Sequence, residues 1–341
     1  MNKQKKMTVQ PNLLKALNRT AIKRVLLHNT AATRVEISAM TGISQPTVNA
    51  IISELVVDHE VIEKGLAGSQ GGRKAAVYEL NQAYAHAVIL IIRQSQLWYR
   101  VIDLASESCE EQVQMVSDGQ DLLQAIVDIV KSMQTSYQNL QAVVIGVPGS
   151  VDREETVYAI PDIPKFEGFP LGKKLSSMLA IPVNIVNDIK LTALGCVSRS
   201  RPESSNMVYL HVGNGLGAGL IMDSQLLSGV SGFAGEIGFM QLGIDEYMLN
   251  QSFTGLLDQT GYDQIARITV NMISMLNPSL VVIGGNCAEK KLGKYIEADC
   301  KTRFPKKMIP QIEICEEAEK YYIRGLSRTA IELCNSDVQL A

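Results

Sequence analysis

The stretch HVGNGLGAGLIMDSQLLSGVSGFAGEIGF, His211 to Phe239, decides how the rest of the chain is read. It places eight glycines in 29 residues, in the order strand, turn, strand, loop, and closes on Glu-Ile-Gly. Glycines this dense serve where backbone must run close to a ligand or take positive φ, both of which a side chain forbids. Glu236 then supplies a carboxylate at the end of the loop. A glycine-lined cavity with one carboxylate suits a polyhydroxylated ligand such as a sugar. The competing reading is a plain β-hairpin with flexible turns.

Around this stretch lie 341 residues, enough for about two or three domains. The 46% hydrophobic content supplies an ordinary globular core, and no apolar run approaches the ~18 residues that span a bilayer. The basic start, MNKQKKMTVQ, lacks the apolar stretch of a signal peptide, so a cytoplasmic location is expected. Cysteines 109, 196, 287, 300, 315 and 334 form no CxxC pair, which argues against a disulfide framework or a cysteine-rich zinc site. Residues 1–80 hold 11 Lys/Arg against 6 Asp/Glu, and the remainder 21 against 29. A basic end on an acidic body points to nucleic-acid contact confined to that end.

Between Asn12 and Val61 the hydrophobic spacing predicts three helices. Leu13, Leu14, Leu17, Ile22, Val25 and Leu26 mark the first; Val35, Ile37 and Met40 face inward from the second. Gly42 follows as a left-handed helix end, and Ser44 with Pro46 opens a third helix through about Val57. Two helices joined by a tight glycine turn make a helix-turn-helix. On the third, Val48, Ile51, Ile52 and Leu55 pack inward, leaving Ser44, Gln45, Thr47, Asn49 and Ser53, with Arg34 nearby, for the base edges and phosphates of double-stranded DNA. Strands at 61–63 and 76–80, joined by Gly68-Ser69-Gln70-Gly71-Gly72-Arg73-Lys74, add a wing. Its tip carries Arg73 and Lys74 to phosphates or a narrow minor groove. A winged helix that binds another protein is the alternative.

From about residue 82 strands and helices alternate. A hairpin at 87–92 and 98–104 is followed by a helix at 122–133, a strand at 142–147, a helix at 170–179, a strand at 183–186 and a helix at 191–198. A second hairpin at 207–212 and 218–222, a helix at 258–276 and a strand at 280–283 complete the pattern. It predicts an α/β body of sheets covered by helices.

In order along this body come Gly146-Val147-Pro148-Gly149-Ser150-Val151-Asp152, Asn187-Asp188, the glycines of 213–219, Gly235-Glu236-Ile237-Gly238, and Asn277-Pro278 with Gly284-Gly285. The series resembles the ROK family of repressors, open reading frames and sugar kinases. With the winged helix and its GGR wing the likeness runs over about residues 10–330, in the manner of the repressor branch and its xylose-repressor-like regulators. The resemblance implies an actin-like (sugar kinase/ribonuclease H-like) body of two α/β lobes with a sugar between them. The winged helix-turn-helix then occupies 1–82, the first lobe 83–190, and the second lobe with a dimerisation surface 191–341, its C-terminal helix returning to the first lobe. Carried over by position, Asn187 and Asp188 match the sugar-binding Asn-Asp pair, Asp188 standing where the kinases have their general base. Glu236 matches the glutamate of Gly-Glu-Ile-Gly-His, Gly149 and Gly235 fall in the sugar-binding motifs, and Asp162 falls near a ligand-contacting asparagine. Beside the resemblance stands the chemistry: a carboxylate accepts from vicinal hydroxyls, each charge-assisted bond contributing about 1.5–3 kcal/mol. Asn187-Asp188 also reads as a simple cap for the helix that follows.

Three departures from the family pattern weigh on function. The kinases' Asp-x-Gly-x-Thr phosphate loop aligns with Ile91, Arg93 and Ser95; an isoleucine holds no metal–phosphate group, and Arg93 stands where backbone must approach phosphate. The last motif ends in Phe239 in place of the family's zinc-ligating histidine. Residues 240–260 contain neither cysteine nor histidine, so the roughly four ligands of a structural zinc are not supplied. No metal and no cofactor are expected, and Phe239 is expected to pack as a hydrophobic substitute. The expectation is a sugar-responsive repressor, not an enzyme, acting as a homodimer or dimer of dimers on a palindromic DNA operator, with a sugar or sugar derivative as effector and no membrane partner. The alternative is a ROK-type sugar kinase with an appended DNA-binding domain; a regulator whose cleft no longer takes sugar is a third reading.

Overall fold

The computed structural model describes residues 11–29, 31–66, 75–93, 96–116, 121–160, 162–198, 200–213, 215–240 and 257–336. The chain opens with helix α1 (Pro11–Asn29), strand β1 (Ala32–Thr33), helices α2 (Arg34–Thr41) and α3 (Gln45–Val57), and strands β2 (Val61–Leu66) and β3 (Ala76–Leu80). The strands pair antiparallel in the order β1-β3-β2. Thr33 starts α2 with a reciprocal cap: its hydroxyl accepts from the Glu36 amide at 3.3 Å, and the Glu36 carboxylate accepts from the Thr33 amide at 2.7 Å. Gly42, at φ 72°, ends α2 and turns the chain into α3. Ile22, Leu26, Ile37, Val48, Ile52 and Leu55 close a core of their own, as the spacing predicts. Val35 and Met40 do not join it; they are 59% and 49% exposed. A helix of eight residues, turning about 100° per residue, presents one narrow face, and Ile37 takes it.

The body holds two five-stranded sheets. The first is built from β4 (His86–Arg93), β5 (Gln96–Asp103) and β6 (Ser108–Met115), then, past α4 (Leu122–Ser136), β7 (Leu140–Val147). A short hairpin of β8 (Ser150–Val151) and β9 (Val157–Tyr158) and helix α5 (Leu171–Leu179) lead to its last strand, β10 (Val183–Asn187). The order β10-β7-β4-β5-β6 is parallel from β10 to β4 and antiparallel beyond. Helix α6 (Asp188–Cys196) crosses to the second sheet, made of β11 (Met207–Gly213), β12 (Gly215–Met222) and β13 (Gln225–Leu226). After α7 (Gln259–Leu276) come β14 (Leu280–Gly284), α8 (Lys290–Arg303), β15 (Gln311–Ile314) and α9 (Ala318–Cys334). Its order is β13-β12-β11-β14-β15.

Helices α4 and α5 cover one face of the first sheet, and α7 and α8 one face of the second. The other faces are covered by α9, through Leu326, Ala330 and Ile331, and by α6, through Ala193 and Cys196. The glycines of β12 set that packing. A Cβ at Gly219 would lie 2.2 Å from the Ala193 side chain, and one at Gly217 2.5 Å from that of Ile189, so α6 rests directly on strand backbone. None of the described helices is long and apolar enough to cross a membrane.

Glu155, in the β8–β9 turn at φ 61°, places its carboxylate over Gly172, where a Cβ would come within 1.9 Å of it. The Ile185 amide on β10, the sheet's edge strand, and the Lys173 ammonium favour its charged form, but burial outweighs them. Burial pushes this carboxyl up to about 7. Folding therefore favours the protonated form, and stability present below the ordinary carboxylate range is lost as pH rises through about 7. A Glu155→Gln variant should unfold at a higher temperature than the wild type near about pH 8 and at a similar one near about pH 4. Thermal unfolding at the two pH values checks this; an equal offset at both would refute it.

Candidate functional site

Helix α6 starts where β10 ends, so its first turn sits at the carboxyl end of the parallel strands, where open α/β sheets place ligands. Asn187 caps it: Oδ1 accepts from the Lys190 amide at 3.0 Å, while Nδ2 donates to the Gly149 carbonyl at 3.0 Å and to Asp188 Oδ1 at 3.1 Å. Asp188 Oδ1 also accepts from the Ile189 amide at 2.8 Å. Burial pushes the Asp188 carboxyl up to about 6, the Glu236 carboxylate adds to the rise, and the amide bonds oppose it. Gly149 is packed so closely that a Cβ would stand 2.9 Å from the Tyr158 carbonyl.

Glu236 arrives from the other sheet. Gly235, at φ 93°, accepts through its carbonyl from the Ala218 amide at 2.8 Å, and a Cβ there would lie 2.0 Å from the Ala218 carbonyl. The loop is thus pinned to β12, with Glu236 in electrostatic reach of Asp188 and Lys190. It also closes on the β8–β9 hairpin: a Cβ at Gly232 would meet the Val151 carbonyl at 2.4 Å, and Arg153 Nη2 donates to the Gly229 carbonyl at 3.0 Å. The Lys190 ammonium donates to the Gly232 carbonyl. Gly149, Asn187, Asp188, Gly235 and Glu236 are therefore brought together. Asp162 is not: it sits on an exposed turn with no hydrogen bond or ion pair among the described residues. Lys190 and Arg153 were missed by sequence reasoning. The available signal was a lysine flanked by Ile189 and Leu191, two residues after Asp188 in DIKLTALGC.

On the N-terminal unit, Gln45 and Asn49 lie on the exposed side of α3, one turn apart. The Ser44 and Thr47 hydroxyls bond each other at 2.8 Å where the helix begins, so Ser44 stands at the cap position without capping an amide. Arg34 turns inward: its guanidinium lies 5.0 Å over the Tyr78 ring and donates to Ser53 Oγ at 3.2 Å. In this structure these two side chains link α2, α3 and β3. Arg73 and Lys74 lie outside the described residues.

Residues 99–256 match the model of the ROK family. That match covers a little under half of the chain. It is 29% identical over 255 residues to the xylose repressor of Caldicellulosiruptor bescii, covering 72% of this chain and 64% of that protein. It is 25% identical over 244 residues to the DNA-binding transcriptional repressor Mlc of Escherichia coli, covering 69% and 59%. The chain thus spans somewhat less than two-thirds of these relatives. A crystal structure of a ROK family transcriptional regulator, described as a homologue of the E. coli Mlc protein, superposes with a TM-score of 0.73 over 94% of this chain and 98% of that one, at 17% identity. A ROK hexokinase from Thermus thermophilus reaches 0.58 over 72% and 97%, at 18% identity. The body has the mixed α/β ROK fold.

Two places bear on the kinase pattern that the resemblance implies. Ile91, at the expected phosphate loop, is buried among Leu326, Ala330 and Ile331. It pairs across the sheet with Gly146, and a Cβ at Gly146 would lie 1.9 Å from the Tyr322 hydroxyl. Arg93 at the strand end is bound to Glu319 of α9 at 2.5 Å; Ser95 lies outside the described residues. A tyrosine ring, a buried isoleucine and a paired guanidinium do not fit a nucleotide phosphate. The second place is Phe239. It does not pack inward as expected: it is 51% exposed and meets Phe233 with ring centroids 5.2 Å apart. The tight turn from Glu236, whose carbonyl accepts from the Phe239 amide at 3.2 Å, turns the ring outward. Phe239 offers no metal ligand, and among the described residues no group of three or more His, Cys, Asp or Glu is placed to hold a metal ion.

Proposed function

We propose that this chain is a sugar-responsive DNA-binding transcriptional repressor and not a kinase. The observation that carries this reading is the exposed face of α3, where Gln45 and Asn49 make no side-chain hydrogen bond among the described residues. Amide side chains one turn apart on a helix that follows a glycine turn suit adenine edges in a major groove. With β2 and β3 as the wing, the N-terminal unit reads as a winged helix-turn-helix. The repressor names of the relatives support this, as does the filled phosphate position at Ile91. The effector is a sugar held by Asn187, Asp188 and Glu236 between the two sheets. The repressor works in the cytoplasm as a homodimer or dimer of dimers on a palindrome, with half-sites about one helical turn apart or a multiple of it.

Footprinting on the promoter beside the chain's own gene tests this. Protection released by a sugar is expected, and Gln45→Ala and Asn49→Ala should each weaken operator binding by about 1–3 kcal/mol. No protection even at low salt rejects the reading. A sugar kinase is the second reading, favoured by Asp188 at the position of the kinase base. ATP turnover over a sugar panel separates the two, and Ile91 leads us to expect none.

A further inference from the structure

Three buried side-chain polar atoms lack a hydrogen-bond partner among the described residues: Arg34 Nε, His86 Nδ1 and the Tyr322 hydroxyl. Arg34 has its guanidinium over Tyr78 and a bond to Ser53, and His86 begins β4 at the end of the sheet away from Asp188, its ring against Tyr137. The Tyr322 hydroxyl lies instead toward the carboxyl end of the parallel strands. A Cβ at Gly146 on β7 would stand 1.9 Å from it and 2.7 Å from the ring carbon that bears it, so the phenol fills the place of a side chain on the inner face of the sheet. Gly146 pairs with Ile91 of β4 on one side and with Val186 of β10 on the other. Two residues beyond those partners come Arg93 and Asp188, and the hydroxyl feels both charges.

A buried hydroxyl left without a partner is unfavourable, and native folds pair nearly all such groups. Neither neighbouring charge meets this one. Arg93 is bound to Glu319, and the Asn187 and Ile189 donors to the Asp188 carboxylate both fall on Oδ1. That leaves Oδ2 of Asp188 for a ligand. Burial holds the Tyr322 phenol well above its ordinary range, so it stays protonated and able to donate. A sugar hydroxyl has one proton to give and lone pairs to receive, which suits a position between a phenol and a carboxylate. Hydrogen bonds chained in this way strengthen one another.

We propose that Tyr322 is a ligand-binding residue of the sugar site: its hydroxyl donates to one sugar hydroxyl, which in turn donates to Asp188. The proposal rests on the sugar-site reading above and adds to it a contact from α9. The ligand then touches α6 through Asp188 and α9 through Tyr322, the two helices that pack backbone to backbone at Gly195 and Gly325. Tyr322 also stands one turn before Leu326, whose cluster takes in Leu27 of α1. Occupancy of the site is therefore felt directly by the helix that meets the N-terminal unit.

The test is calorimetric titration of the full chain and its Tyr322→Phe variant with glucose, xylose, mannose and N-acetylglucosamine, then with monodeoxy forms of whichever binds most tightly. Phenylalanine keeps the ring over Gly146 and removes only the hydroxyl. Tyr322→Phe should weaken that sugar by about threefold to tenfold. One deoxy sugar should bind wild type and variant alike, because both changes remove the same bond, whereas the other deoxy sugars keep the ratio. Without sugar, Tyr322→Phe should unfold at the temperature of the wild type or higher, since the hydroxyl has no partner to lose. Equal affinity of the two proteins for every sugar, or the same ratio for every deoxy sugar, overturns the proposal and leaves the sugar reading standing. A lower unfolding temperature with unchanged affinity does so too, and makes the hydroxyl a structural group. No binding of any of these sugars by the wild type overturns both.

Discussion

A Gly325→Ala variant should lose about 3 kcal/mol of stability or more, the upper end of what overpacking costs. The reason is the spacing of the two inner helices. A Cβ at Gly325 would lie 1.9 Å from the Leu191 carbonyl on α6, and one at Gly195 would lie 1.8 Å from the Tyr321 carbonyl on α9. Both clashes are with backbone, which cannot swing aside as a flexible side chain can. One added methyl must therefore push α6 and α9 apart over their whole contact. Neither glycine has a left-handed φ, so crowding alone carries the effect. Chemical denaturation of wild type and variant measures it. A loss under about 1 kcal/mol would mean that the helices separate without resistance.

The same substitution probes how ligand and DNA are linked. Helix α6 carries Asn187 and Asp188 at its start, and α9, packed against it, touches the N-terminal unit: Leu27 of α1 packs on the cluster of Leu326, Ala330 and Ile331. A cavity of about 430 Å³ lies at this junction, walled by Leu27, Ser106, Ser198, Arg324 and Arg328. Under the proposed function, a rigid element touching both ends gives a sugar a physical route to the N-terminal unit, but it changes affinity only if the ligand prefers one arrangement of that contact. If α6 and α9 move as one body, Gly325→Ala should blunt release of operator by sugar more than operator binding itself. Footprinting with and without sugar reads the difference.

Much of the architecture was legible because hydrophobic period and glycine placement agree along the chain. The third helix is an example: Val48, Ile51, Ile52 and Leu55 face the core as spaced. Strand β6 was not legible. Its sequence SCEEQVQM carries charge on both faces because it is the sheet edge and is mostly exposed, so no alternation marks it. The glycine-rich stretch was legible in part. Gly217 and Gly219 serve helix packing, not ligand approach, while Gly232 closes the loop on the β8–β9 hairpin and Gly235 pins it to β12, bringing Glu236 toward Asp188. Sequence shows that no side chain is wanted at a position; whether a helix or a ligand takes the space is set by tertiary packing. Lys190 was missed for a related reason: burial of a lone charge is a property of the folded surroundings, and its sequence neighbours, Ile189 and Leu191, announce only an apolar helix.

Replacing Asp188 by asparagine should weaken sugar binding by about 3 kcal/mol, near a hundredfold, while leaving operator affinity as it was. Asparagine keeps an oxygen for the Ile189 amide, which now bonds Asp188 Oδ1 at 2.8 Å, so the start of α6 survives. What is lost is the charge that strengthens bonds to two sugar hydroxyls. The pH dependence gives a second, independent signature. With its carboxyl raised to about 6, wild-type Asp188 is progressively neutralised as pH falls through that value, and sugar affinity should fall with it. Stability moves the other way. A carboxyl whose folded-state value lies above its ordinary one favours the fold when protonated, so the wild type loses stability as pH rises from the ordinary carboxylate range through about 6. Asp188→Asn should therefore be the more stable protein near about pH 8 and the poorer binder there. A purely capping role for this carboxylate predicts the reverse, with the variant less stable and sugar affinity unmoved. Titration and thermal unfolding of the same two proteins at the same pH decide between these outcomes.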